Sequence, residues 1–219
     1  MSEPLAASGA RMLLQLSGVP GTGKSTLARG LARQRAMVVL DKDVVMSSLL
    51  AVGVPLADAG RASYSCLLGL AADLLAQGHG VVLDSPCRYR TLLESGQGIA
   101  AAAGVPYRLV ELWADDPADL LPRLDLRTAL PSQVASADDP VPGSAWELRT
   151  PLATLAGWQD QLVRPESGWL RLDALLPPEE VLQSTLDYLG AVGVAGGECG
   201  SVSGRATDPG PPPRHPDRP

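Results

Sequence analysis

Residues Gly18–Thr26 read GVPGTGKST, after an apolar run at Met12–Ser17 (MLLQLS) and before a helix-like stretch at Leu27–Arg35. This is the pattern G-x-x-x-x-G-K-[ST] in a strand–loop–helix setting. Gly18, Gly21 and Gly23 allow backbone turns that a Cβ would block, so successive N–H groups can converge on phosphate oxygens. A helix starting near Lys24 adds its unpaired N–H groups and the positive end of its dipole. Lys24 is then placed to bridge β- and γ-phosphates, and the Ser25 hydroxyl to ligate Mg²⁺. The expected nucleotide-binding segment is therefore Gly18, Val19, Pro20, Gly21, Thr22, Gly23, Lys24, Ser25 and Thr26, with ATP and Mg²⁺ as cofactors. Composition sharpens this reading. The chain holds only two lysines, Lys24 and Lys42, against sixteen arginines, so a compact, mobile ammonium stands where the loop chemistry requires one.

Working outward, further short apolar runs occur at Met37–Leu40 (MVVL), Gly80–Leu83 (GVVL), Tyr107–Trp113 (YRLVELW) and Trp169–Leu172 (WLRL). Near-continuous apolar runs of this length suit buried parallel strands. Helix-like stretches separate them: Leu27–Arg35, Val44–Ala51, Ala62–Gln77, Arg90–Ala103 and Pro178–Leu189. The last opens Pro-Glu-Glu, as a helix first turn should. The alternation predicts an α/β fold with a doubly wound, five-stranded parallel sheet of order 2-3-1-4-5 and helices on both faces. Ligands in such sheets sit at the carboxyl ends of the strands, where Gly18, Asp41, Asp43 and Asp84 all fall.

Thr128–Gly143 interrupts the alternation with Pro131, Pro140 and Pro142 beside Asp138 and Asp139, and is expected to be a mobile lid. Ser144–Val163 reads as helical, its Trp146 and Trp158 as core residues. The expected organisation is a flexible N-terminus at 1–10, one domain at 11–189 with the lid near 128–143, and a disordered Gly/Pro-rich tail at 190–219.

A length of 219 residues, 45% of them hydrophobic, suffices for one well-buried α/β domain. The net charge of −6 argues against nucleic-acid or anionic-membrane partners, which need a basic footprint. No apolar run approaches the ~20 residues that span a bilayer. Cys66, Cys87 and Cys199 are odd in number and far apart, which suggests neither a disulfide framework nor a zinc site. The cytoplasm is the expected compartment.

The carboxylates narrow the chemistry. Asp43 follows the second strand in a D-K-D turn, where a carboxylate can accept a proton from a substrate hydroxyl; alternatively it caps the helix from Val44, or shares that cap with Asp41. Asp84 ends the third strand, the position of a carboxylate that orients Mg²⁺ through its waters; alternatively it accepts from a substrate hydroxyl or from backbone at the strand end. Asp41, Arg88 and Arg90 are candidate substrate contacts on the same rim. Arg123 and Arg127 stand four residues apart, and one helical face would carry both toward the phosphates, unless they pair with Asp119 or Asp125 at the surface.

In combination these segments resemble small P-loop kinases of the polynucleotide-kinase, zeta-toxin and gluconate-kinase kind, a group that includes AAA-family ATP-binding proteins. The resemblance runs from Arg11 to Leu189 on GVPGTGKST, LDKDVVMSSL, VVLDSP, LLPRLDLR and LPPEEVLQSTLDYL. It implies Asp43 as general base and Arg123 and Arg127 as contacts to ATP phosphates. Polynucleotide kinases carry an Arg three residues after the catalytic Asp; here that position is Met46, which argues against a polynucleotide acceptor. The expected function is phosphoryl transfer from ATP to a hydroxyl of a small molecule. The alternatives are a regulatory or toxin-like ATP-binding module with weak ATPase activity, and a nucleoside or nucleotide kinase.

Overall fold

A computed structural model describes residues 11–126, 128–133 and 151–194. Its sheet contains β1 (Leu13–Ser17), β2 (Val38–Asp41), β3 (Val81–Asp84), β4 (Tyr107–Trp113) and β5 (Trp169–Asp173), in the order β2-β3-β1-β4-β5. Every pairing is parallel. Around it lie α1 (Lys24–Arg35), α2 (Lys42–Ala51), α3 (Leu56–Ala76), α4 (Arg90–Ala102), α5 (Leu121–Asp125), α6 (Pro151–Asp160) and α7 (Pro178–Val194), with a 3-10 turn at Pro117–Leu120. This is the P-loop NTPase fold in the strand order expected.

The period of two along β1 divides the core. Leu14 and Leu16 pack with Leu27 and Leu31 of α1 and with Val181 and Leu189 of α7. Leu13, on the opposite face, packs with Leu67 and Leu75 of α3 and Ala100 of α4. β1 is buried throughout, whereas β2 at the sheet edge is only half-buried. The central strand that launches the phosphate loop is thus buried on both faces.

Several boundaries differ from the sequence reading, each for a local reason. α2 begins at Lys42 because Asp41 caps it, its carboxylate accepting from Asp43 N at 2.8 Å. α3 begins at Leu56, directly after Pro55, and continues through Gly60. The helix expected over Ser144–Val163 is described only as Pro151–Asp160, and Ser144–Thr150 lie outside the described residues. α7 continues through Gly190 to Val194, into the stretch expected to be disordered. Residues 1–10 and 195–219, the remaining terminal segments, lie outside the described residues. No described helix is long and apolar enough to cross a membrane.

Candidate functional site

The loop between β1 and α1 requires its glycines. Gly18 has φ +140°, and a Cβ there would stand 2.6 Å from the Leu112 carbonyl oxygen. Gly23, at φ 91°, is the N-cap of α1 and offers no side-chain acceptor, so the first N–H groups of the helix stay open to an anion. Val19 and Thr22 are buried, and the Thr22 hydroxyl donates to Val19 O at 2.8 Å, which fixes the curve of the loop. Lys24 folds back over it, its Nζ donating to Gly18 O at 2.9 Å and Val19 O at 3.1 Å. Pro20 through Thr26 line a cleft, with Gly18 and Val19 behind them supplying carbonyls.

Two strand ends deliver carboxylates to this cleft. Asp41 and Asp84 close β2 and β3 in register with one another. Asp84 is buried, and its Oδ2 has no hydrogen-bond partner. Burial pushes its carboxyl up to about 6, against the opposing pull of Lys24 and of a hydrogen bond from Ser25, while Asp41 and Asp43 add to the rise. Burial likewise raises Asp41, with the Asp43 charge adding to it and its backbone hydrogen bonds opposing.

An unpartnered carboxylate oxygen beside a serine hydroxyl is the sparse, hard-oxygen site that Mg²⁺ favours when phosphates and waters complete its shell. Among the described residues no cluster of three or more His, Cys, Asp or Glu could hold a metal unaided. The residues present therefore fit a phosphate-bound Mg²⁺ with Ser25 and Asp84 as protein ligands.

Asp43 lies in the first turn of α2 and lines the same cleft; the cap role belongs to Asp41. Its Oδ2 accepts from Gln133 Nε2 at 2.7 Å, and its Oδ1 lies 3.3 Å from Lys42 Nζ. Ser132 Oγ donates to Asp43 O at 3.0 Å, and Ser132 N donates to Ser47 Oγ at 3.2 Å. The described start of the expected lid, Thr128–Gln133, is thus clasped onto α2; residues 134–143 lie outside the described residues. Sequence reasoning missed Ser47, Ser132 and Gln133, which carry no periodic or motif signal. Met46, at the polynucleotide-kinase arginine position, is buried, its Sδ 3.0 Å from Lys42 Nζ.

The arginines fare differently. The Arg88 guanidinium carbon sits 4.0 Å from the centroid of the Trp158 ring and 5.7 Å from that of Tyr89, facing the cleft. Trp158, expected as core, forms cleft wall as well as packing against the core. Arg90 opens α4, is exposed and does not line the cleft. Arg123 lines the cleft and donates from Nη1 to Ala174 O at 2.6 Å. The helix expected to carry both Arg123 and Arg127 is the short α5, which ends at Asp125, so no continuous face joins them. Arg127 itself lies outside the described residues. The cleft encloses about 1300 Å³, and the phosphate loop, Asp43, Tyr64, Arg88 and Trp158 all line it.

A glycine-cradled loop on the central strand, with strand-end carboxylates around it, defines a P-loop protein. The family described as AAA domain matches residues 13–137, and the chain belongs to that family. A search of curated proteins gives no significant match.

Among solved structures the chain is similar to a gluconokinase from Sinorhizobium meliloti, at TM-score 0.57 and 19% identity over 84% of this chain and 94% of that one. It is similar to a sugar kinase from a Janibacter species, at TM-score 0.58 and 18% identity over 82% and 95% of the two chains. It is also similar to a Mycobacterium tuberculosis APS kinase in complex with AMPPNP and APS, at TM-score 0.55 and 20% identity over 83% and 98%.

Proposed function

We propose that the protein is a small-molecule kinase that transfers the γ-phosphate of ATP to an acceptor hydroxyl. The observation that carries this reading is a single cleft lined by the phosphate loop, Asp43, Arg88 and Trp158 together. A nucleotide switch needs no room beyond the nucleotide itself, whereas a kinase needs space for an acceptor in line with the γ-phosphorus. Kinases among the structural neighbours support the same reading.

The loop amides and Lys24 hold the β- and γ-phosphates, with Lys24 exchanging its loop carbonyls for phosphate oxygens. Ser25 and Asp84 would hold Mg²⁺, which would supply positive charge against the phosphates. Asp43 receives the hydroxyl proton as the acceptor oxygen forms its bond to the γ-phosphorus and the bond to the β,γ-bridging oxygen breaks, releasing ADP. Arg123, on the cleft wall, adds positive charge where the transferring group spreads its own. Arg127 is proposed for the same task from the family resemblance alone.

A nucleoside kinase would need a base-sized slot between α2 and the segment after α5. Ser132 and Gln133 instead bind α2 directly, which favours a non-nucleoside acceptor. The test is a screen of purified protein with labelled ATP and Mg²⁺ against a library of hydroxylated metabolites. Acceptor-dependent transfer is expected; slow hydrolysis with no acceptor dependence would favour a regulatory module.

A further inference from the structure

We propose that the part of the cleft wall around Arg88 is an oxyanion subsite, so that the acceptor carries a carboxylate, phosphate or sulfate group in addition to its reacting hydroxyl. The kinase reading underlies the acceptor role; the anion site itself stands on the geometry around Arg88.

The segment Ser85–Tyr89 is pinned from three sides. Gln15 Nε2 donates to Ser85 O at 2.6 Å, Cys87 N donates to Ser17 Oγ at 3.3 Å, and Val163 N donates to Cys87 O at 2.8 Å. Cys87 is fully buried between these contacts. Arg88 therefore projects from a fixed backbone, and Trp158 fixes its guanidinium by stacking at 4.0 Å. Stacking satisfies the face of the cation and leaves its N–H edge unspent.

Among the described residues that edge has no hydrogen-bond acceptor. Arg88 Nε is buried with no hydrogen bond, and no described carboxylate pairs with the group. Other partly buried arginines are provided for. Arg164 and Arg171 share the buried Glu111, Arg35 reaches Leu186 O, and Arg123 reaches Ala174 O. A buried donor without an acceptor is costly, and a planar N–H fork matches an oxyanion in particular. The same cleft holds Asp41, Asp43 and Asp84 as well as Arg88, which sits against Tyr89 and Trp158, and Tyr64 lies within electrostatic reach of both Asp43 and Arg88. An acceptor with an anionic group on Arg88 would thereby be oriented with a hydroxyl toward Asp43.

The test compares matched acceptors, with labelled ATP and Mg²⁺: glycerate, gluconate and glycerol 3-phosphate against glycerol and glucitol, within the wider metabolite library. The preferred acceptor should be anionic, its identity separating carboxylate from phosphate or sulfate. Arg88→Gln should raise its KM by about 10–100-fold with a smaller change in kcat. Arg88→Lys, which keeps the charge without the planar fork, should fall between, and it supplies the comparison if Arg88→Gln does not fold.

A neutral best acceptor, or an unchanged KM in the variants, overturns the subsite while leaving the kinase reading intact. If no acceptor is phosphorylated, the kinase reading fails and calorimetry decides the subsite. With AMPPNP and Mg²⁺ saturating the phosphate loop, glycerate or sulfate should bind the wild type and bind Arg88→Gln at least about tenfold more weakly. Equal binding, or none to the wild type, overturns it.

Discussion

Gln133 Nε2 donates to Asp43 Oδ2 at 2.7 Å, joining residues ninety positions apart across the mouth of the cleft. The amide holds one carboxylate oxygen, and Ser132 holds the backbone of the same residue, so the aim of Asp43 is set from outside its own helix. A carboxylate with several lone-pair sites can keep this bond and still receive a hydroxyl proton. In the proposed mechanism this makes Gln133 a positioning residue. Gln133→Ala is expected to lower kcat about tenfold while leaving the KM for ATP nearly unchanged, because misplaced catalytic groups lose rate before they lose binding. Steady-state kinetics with the identified acceptor check this, and an unchanged kcat would make the contact incidental.

Asp84 links the site to stability. Its folded-state carboxyl titrates at about 6, well above its ordinary value, chiefly because it is buried. The folded chain therefore holds that proton more tightly than the unfolded chain, and stability contributed below pH ~4 is lost as pH rises through about 6. Asp84→Asn removes the loss. Without nucleotide, the variant is expected to exceed the wild type by about 2–3 kcal/mol at pH 8, with the gap closing toward pH 4. It should also bind nucleotide with a weaker dependence on Mg²⁺. Denaturant unfolding across pH measures the first effect, and a gap independent of pH would contradict it.

Glu111 has no exposed surface and accepts from Arg164 Nη2 at 3.0 Å and Arg171 Nε at 2.9 Å. Trp113 and Trp169 flank both guanidinium groups. Removing the shared carboxylate strands two partly buried cations against one another. Glu111→Ala is expected to cost about 2–4 kcal/mol, since breaking a buried charge network costs far more than losing a surface pair. Urea unfolding reads this directly; a loss below about 0.5 kcal/mol would show the cluster to be energetically idle.

Much of this architecture is legible in the sequence because its signals are local. Buried parallel strands read as short apolar runs, and the glycine pattern with Lys24 and Ser25 fixes the loop and the helix that follows. Asp41 and Asp84 are legible because strand ends in such a sheet face the ligand. The clasp of Ser132 and Gln133 on α2 is not legible, because it joins distant segments through polar side chains in a proline-broken stretch without periodicity. Trp158 reads as core because an aromatic in a helix usually is, and only the fold brings Arg88 over its ring. Glu111 in the run YRLVELW is a charge in an apolar strand whose partners lie 53 and 60 residues away. The short α5 escapes periodicity because five residues are too few to show it.

In the proposed mechanism Asp43 receives a proton from an acceptor hydroxyl in the cleft that the phosphate loop lines. Single-turnover transfer from labelled ATP to the identified acceptor, measured for wild type and Asp43→Ala alongside the Kd for MgATP, tests it most directly. A loss of ~10²–10⁴ in transfer with MgATP affinity nearly intact is expected. Transfer at the full wild-type rate in Asp43→Ala would contradict it.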